Sequence, residues 1–102
     1  MAQFETDNIN TKATLVDRSG TVTAGGTSQV VAPANPNRVG FSLQNVSSGD
    51  LWISSNGPAV AGQPSHWLPA GSYWEYPLTG VPLTAINVLG ATTGQAFTAR
   101  EW

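Results

Sequence analysis

His66 is the only histidine in the chain, so any nucleophile activated by an imidazole must use it. A serine hydrolase needs a histidine and a carboxylate beside the serine, which often stands on a sharp Gly-x-Ser-x-Gly turn. The sequence contains no such turn. His66 precedes Trp67 in a proline-rich segment, and we interpret it as a structural residue.

Glu75 and Glu101 are the acids that come nearest to a catalytic pair of carboxylates. A glycosidase needs two such groups facing each other across a cleft. These two glutamates fall on different predicted strands, and no other cleft signature accompanies them. We therefore interpret them as isolated surface acids and expect no catalytic residue and no enzymatic activity.

We expect no cofactor and no metal ion. Cysteine is absent, and the six Asp and Glu residues are scattered singly, whereas metal sites cluster their donors. Asn45 begins an Asn-x-Ser glycosylation sequon. We disregard the sequon because so short a pattern often arises by chance and because we expect no secretory signal.

Aromatic side chains are the most informative residues that remain. Some must belong to the core, because Trp and Tyr are buried on average. The others fit two functions: anchors at the centre of a protein interface, or platforms on which a sugar ring packs. Trp74 keeps the second alternative open, because Ser72 and Glu75 are close to it in the sequence. The six large rings besides phenylalanine are Trp52, Trp67, Tyr73, Trp74, Tyr76 and Trp102.

The small number of charged residues makes nucleic acid an unfavourable partner. Four Lys and Arg against six Asp and Glu give a formal net charge of -2, so we expect no nucleic-acid binding. The N-terminal residues contain no apolar run, so we expect neither a membrane span nor a signal peptide, and synthesis in a cytoplasm. Net charge keeps soluble proteins apart, and this chain has little of it. We therefore expect an assembly that includes copies of this chain.

The elements that position these residues are predicted to be short strands. From Lys12 onward, β-branched and aromatic runs alternate with Gly, Pro and Asn clusters, which is typical of an all-β fold. We predict one domain over residues 13–102, as a small antiparallel β-sandwich or a jelly-roll-like barrel. An extended N-terminal arm is predicted over residues 1–12, with Phe4 and Ile9 inserted into a neighbouring subunit. The predicted strands are 13–17, 21–24, 28–32, 38–46, 50–54, 73–76, 84–89 and 96–102.

Alternation of apolar and polar residues assigns the faces of these strands. We expect strands 38–46 and 50–54 to form a hairpin. Trp52 and Trp102 are expected on the outer faces of their strands, opposite the core residues, where another chain covers them. The predicted core residues are Val39, Phe41, Leu43, Leu51, Ile53, Ile86, Val88 and Phe97.

Six segments also carry a resemblance to a known group of proteins. They are 34–38 (ANPNR), 43–47 (LQNVS), 51–53 (LWI), 68–75 (LPAGSYWE), 86–91 (INVLGA) and 94–102 (GQAFTAREW). In these segments, which are distributed over roughly residues 30–102 and so over most of the predicted domain, the chain resembles the small β-sandwich virion proteins of tailed bacteriophages. Decoration proteins, head fibres and tail modules share this pattern, and residues 1–29 do not contribute to it.

The resemblance implies a non-enzymatic capsid decoration (cement) protein that binds and stabilises the lattice of the major capsid protein on the virion surface. The alternative that it implies is a tail or fibre module, which binds a receptor or a carbohydrate through exposed aromatic residues. No catalytic residue is carried over. The residues expected at the interface are Phe4, Ile9, Trp52, Trp74 and Trp102.

Overall fold

The computed structural model describes residues 14–102, and this part of the chain contains nine β-strands and no helix. The strands are short because Gly, Pro and Asn clusters interrupt the chain repeatedly. The arm predicted over residues 1–12 lies outside the described residues. The strands are β1 (Val16–Asp17), β2 (Gly20–Thr21), β3 (Gln29–Ala32), β4 (Phe41–Asn45), β5 (Leu51–Ser54), β6 (His66–Leu68), β7 (Tyr73–Glu75), β8 (Ile86–Gly90) and β9 (Ala96–Glu101).

The strands form two antiparallel sheets that pack face to face. In the first sheet, β1 and β2 both pair with β9, and the order continues through β4 to β7. In the second sheet the order is β3, β8, β5, β6. When β1 and β2 are counted as one interrupted strand, the two sheets have the strand order of a jelly roll. The predicted all-β fold is confirmed, as a small sandwich with this strand order.

The core lies between the two sheets and is built from alternating side chains. Seven of the eight predicted core residues are buried there, each 4% exposed or less. Burial of one such side chain stabilises the fold by about 1.5–3 kcal/mol, so this cluster supplies most of the stabilisation. The seven are Phe41, Leu43, Leu51, Ile53, Ile86, Val88 and Phe97, and Val22, Leu68, Tyr76 and Ala99 join them.

Val39 is the eighth predicted core residue, and for this residue the prediction is wrong, because its side chain is 57% exposed. The cause is an irregularity just before β4. The N–H groups of Val39 and Gly40 both donate to the carbonyl of Trp102, so two residues oppose one, as in a β-bulge. The extra residue breaks the alternation ahead of Phe41. Gly40, which lies under the Trp102 ring, is buried instead.

The hairpin predicted between β4 and β5 is also wrong, because the two strands belong to different sheets. The connection between them crosses from one sheet to the other at a corner held by the buried side chain of Asn45. Its amide nitrogen donates to the carbonyls of Gly49 and Leu68, and its oxygen accepts from the N–H and the hydroxyl of Ser47. The sequon at Asn45 is therefore part of a structural turn.

Strand β6 is absent from the prediction. It forms an edge of the second sheet, where Leu68 pairs with Leu51 and Trp67 pairs with Trp52. The strand has only three residues and lies between prolines, so it is too short to show an alternating pattern. Its consequence for function is that it carries Trp67 onto the sheet.

Replacing Phe41 with alanine is expected to lower the free energy of unfolding by about 3–5 kcal/mol, because loss of a fully buried ring leaves a cavity. Urea unfolding followed by circular dichroism measures this loss. Val39→Ala is the matched control on the exposed residue two positions earlier, and it is expected to change stability by less than about 0.5 kcal/mol. Equal losses for the two variants would contradict the face assignment of β4.

Candidate functional site

The charged residues of the strands are confined to the first sheet. Asp17, Glu75, Arg100 and Glu101 lie on its strands. The four strands of the second sheet contain no Asp, Glu, Lys or Arg. These four strands therefore present mainly apolar side chains and hydrogen-bonding groups to a partner, without a carboxylate, ammonium or guanidinium group.

The outer face of the second sheet carries two stacked tryptophans. Trp52 and Trp67 are direct partners on β5 and β6, with ring centroids 6.4 Å apart and 27° between the ring planes. Their neighbours Leu51 and Leu68 are buried in the core, so both rings point outward, as predicted for Trp52. Trp67 is 57% exposed, whereas Trp52 is partly covered. We call Trp52 and Trp67 the aromatic pair.

The rest of this outer face is covered in part by the chain itself. The connection between β5 and β6 folds back over β3 and β8, and Ala59 within it is buried. The Ala59 N–H donates to the hydroxyl of Ser28 at 2.8 Å, and the side-chain amide of Asn87 donates to the carbonyl of Gly57 at 2.9 Å. This loop leaves the ring of Trp67 accessible.

His66 and Trp74 close the side of the sandwich where β6 and β7 form the edges of the two sheets. Their rings stack with centroids 4.4 Å apart, and Trp74 meets Tyr76 edge-on at 5.5 Å. Trp74 pairs with Leu43 across the ladder and packs against the core, so its ring is less accessible than that of Trp67. The interface role predicted for Trp74 stays a prediction.

The outer face of the first sheet is polar. Ladder pairing places Gln44 between Tyr73 and Thr98, and Ser42 between Glu75 and Arg100. The Tyr73 hydroxyl donates to a carboxylate oxygen of Glu75 at 2.7 Å. This hydrogen bond raises the pKa of Tyr73, because it stabilises the neutral phenol beside an anion. We call the six residues together the polar face: Ser42, Gln44, Tyr73, Glu75, Thr98 and Arg100.

Glu101 is buried, so the prediction that it is an isolated surface acid is wrong. It is 1% exposed and lies on the core side of β9, as Phe97 and Ala99 do. The Nε atoms of Arg18 and Arg38 each donate to one of its carboxylate oxygens at 2.7 Å. Burial alone would raise the pKa of Glu101, but the hydrogen bonds from the two arginines outweigh burial and hold the pKa below its ordinary value.

The guanidinium of Arg38 connects this buried ion pair to two loops. Its Nη1 donates to the carbonyls of Pro82 and Thr84, and its Nη2 donates to the carbonyl of Pro33. The carboxylate of Glu101 therefore has a structural role, and Glu75 is separated from it because Glu75 lies on the outer face of the same sheet. The two glutamates do not form a catalytic pair.

The remaining predicted interface residues have different surroundings. Trp102 is partly covered by its own chain, since its ring lies over Gly40 and its backbone N–H donates to the Gly40 carbonyl. Phe4 and Ile9 lie outside the described residues. The interface roles predicted for these three residues, and for Trp52, stay predictions.

Within residues 14–102, no group of three or more His, Cys, Asp or Glu side chains is placed to hold a metal ion. The same residues form no helix that is long and apolar enough to cross a membrane. The described surfaces present the aromatic pair on one sheet and the polar face on the other, and each can make non-covalent contacts with a partner.

Comparisons of the chain with family models, with curated proteins and with solved structures found no match.

The buried ion pair predicts a loss of stability in acid. Because the pKa of Glu101 is lower in the folded chain than its ordinary value of 4.5, its contribution is complete above that value. The contribution is lost as pH falls through 4.5 towards the folded-state pKa. Urea unfolding measured from neutral pH down to acid is expected to show this decline.

Glu101→Gln is expected to lower stability at neutral pH by about 3 kcal/mol, because it leaves buried Arg38 without its counter-ion. The variant is also expected to have a shallower decline in acid. Some decline remains, because the Ser19 N–H lowers the pKa of Asp17 in both proteins. Glu75→Gln, at an exposed position, is the matched control and should behave as the wild type. An unchanged acid decline in Glu101→Gln would contradict the ion pair.

Proposed function

We propose that this protein is a non-enzymatic structural protein of a bacteriophage virion that decorates the capsid. Its partners would be the major capsid protein and further copies of this chain. In this proposal the outer face of the second sheet docks on the capsid lattice, with the aromatic pair at the centre of the contact. The protein would be made in the host cytoplasm and would reside on the virion surface.

The exposure of Trp67 is the observation that carries this proposal. A large ring that is 57% exposed on a sheet without charged residues favours association with another protein. Aromatic side chains with little charge around them are typical of the centres of protein interfaces. Stacking against the neighbouring Trp52 limits the motion of the Trp67 ring, and a ring that is partly held in advance loses less freedom on binding.

The edges of the second sheet support the same proposal. β3 and β6 are its end strands, and within the described chain no further strand pairs with either. Proteins commonly protect such edges with lysine or other charges, and these two strands have none. A partner that covers the face would also shield these edges.

The fold and the resemblance agree with a role in a virion. Jelly rolls recur in viral capsid proteins and in lectins, although a fold alone does not determine a function. The bacteriophage resemblance of the segments within residues 30–102 favours the first of these settings. A tail or fibre module is the alternative, and the position of the protein in images of purified particles distinguishes it from a decoration protein.

Trp67→Ala is expected to weaken binding to the particle by about 2 kcal/mol, or about thirty-fold in affinity, because it removes an exposed anchor. The free protein should keep its thermal stability. Co-sedimentation with particles assembled without the wild-type chain measures the affinity. Leu78→Ala is the matched control, because it removes a 62% exposed apolar side chain from outside the strands.

Trp52→Ala is expected to lower occupancy in the same assay, because it removes the ring on which Trp67 stacks. Unchanged occupancy for both tryptophan variants would contradict docking through the aromatic pair. Unfolding of the free protein by Trp52→Ala would place that ring in the core instead.

The arm predicted over residues 1–12 can be tested separately by deletion. Deletion of residues 2–11 is expected to leave the thermal stability of the free protein intact and to weaken its incorporation into particles. The reason is that Phe4 and Ile9 are isolated apolar residues in a polar segment and serve as anchors only in the assembly. Calorimetry and particle occupancy are the two measurements, and unchanged occupancy would contradict the prediction.

A further inference from the structure

We propose that the polar face binds a neutral carbohydrate, with the ring of Tyr73 as the stacking surface. The proposal goes beyond the capsid function and does not depend on it. The polar face belongs to the first sheet, whereas the aromatic pair lies on the outer face of the second sheet.

Tyr73 has the exposure and the fixed orientation that a stacking surface needs. Its side chain is 56% exposed on edge strand β7. Its hydroxyl donates a hydrogen bond to a carboxylate oxygen of Glu75, with 2.7 Å between the two oxygens, and this contact limits the orientations of the ring. The face of an aromatic ring is electron-rich and attracts C–H groups, such as those on one side of a pyranose. A ring held in advance loses little freedom on binding.

Hydrogen-bonding side chains surround this ring on the same face. Gln44 is the direct ladder partner of Tyr73, and Thr98 is the next residue across the sheet. In the adjacent row, Glu75 and Arg100 flank Ser42. Gln44, Thr98, Glu75 and Arg100 are exposed. Neighbouring strands are about 4.8 Å apart, so amide, hydroxyl, carboxylate and guanidinium groups lie within reach of one bound sugar.

The polar face continues into a depression of about 320 Å³ at its far side. A concave surface of this kind increases the contact that a ligand makes, and a few convergent polar groups then orient the ligand. The depression shares Thr98 and Arg100 with the polar face, so a chain of several sugar units can follow both. Its lining residues are Leu15, Asp17, Ser19, Thr98, Ala99 and Arg100.

The charges on this surface favour a neutral ligand. Arg100 pairs with Asp17 across the ladder, and Glu75 lies on the other side of Ser42, so one cation stands among two carboxylates. This arrangement repels a polyanion. Tyr73 is the one large ring among the six residues of the polar face, whereas the centre of a protein interface groups several apolar side chains. A polyhydroxylated, uncharged ligand matches mixed donors and acceptors around a single ring.

Titration of the full chain with soluble oligosaccharides tests the proposal. The probes are uncharged oligomers of glucose, of galactose and of N-acetylglucosamine at millimolar concentrations, with dextran sulfate as the polyanionic probe. Backbone amide NMR shifts are expected to move in β4, β7 and β9 with at least one uncharged probe and to saturate. Dextran sulfate is expected to leave them unchanged.

Tyr73→Ala is expected to weaken that binding at least about ten-fold, and Tyr73→Phe, which keeps the ring, less than about three-fold. Gln44→Ala, which retains Tyr73, gives a smaller loss than Tyr73→Ala. Trp67→Ala is the control on the other sheet and should bind as the wild type, so failure of this proposal is distinguishable from failure of capsid docking. Three results would each overturn the proposal: no binding of any uncharged probe, shifts centred on the aromatic pair, or unchanged affinity in Tyr73→Ala.

Discussion

One end of the sandwich depends on the ion pairs that the buried carboxylate of Glu101 forms with two arginines. Glu101 stands at the end of the central strand β9, and its partners Arg18 and Arg38 come from the segments after β1 and before β4. Arg38 in turn holds the carbonyls of Pro33, Pro82 and Thr84. Breaking such a buried pair leaves an uncompensated charge in the core, so the ion pair disfavours other arrangements of these segments. The result is a defined closure of the sandwich without a disulfide.

The opposite corner depends on uncharged amides instead. Asn45 bridges the turn after β4 and the end of β6, and the side chain of Gln95 donates to the Asp50 carbonyl and to Ser47. Buried amides of this kind fix the chain direction because every donor needs a partner. At this corner the chain crosses from β4 in the first sheet to β5 in the second, and the hydrogen bond from Asn45 to the Leu68 carbonyl holds the end of β6, the strand that carries Trp67.

Sequence alternation predicted most of the core, and its failures have particular causes. Val39 was misplaced by a bulge that depends on Trp102, a residue far away in the sequence. The hairpin of β4 and β5 was wrong because closeness in sequence does not show which sheet a strand joins. The sequence did contain a signal for the two buried polar contacts. Asn45 and Glu101 occupy core-facing positions in their strands, where a polar residue implies a buried partner. Trp67 had no such signal, because three residues between prolines define no period.

The segregation of strand charges to one sheet has a consequence for how the molecule meets its partners. The strands of the second sheet would add little electrostatic steering to an association through their outer face, so its rate would depend weakly on ionic strength. The burial of aromatic surface would instead give this association a negative heat-capacity change, and its strength would vary with temperature. The outer face of the other sheet carries both carboxylates and a guanidinium, so contacts made there would respond to ionic strength. Binding at the outer face of the second sheet would therefore vary mainly with temperature, and binding at the outer face of the first sheet would vary more with ionic strength.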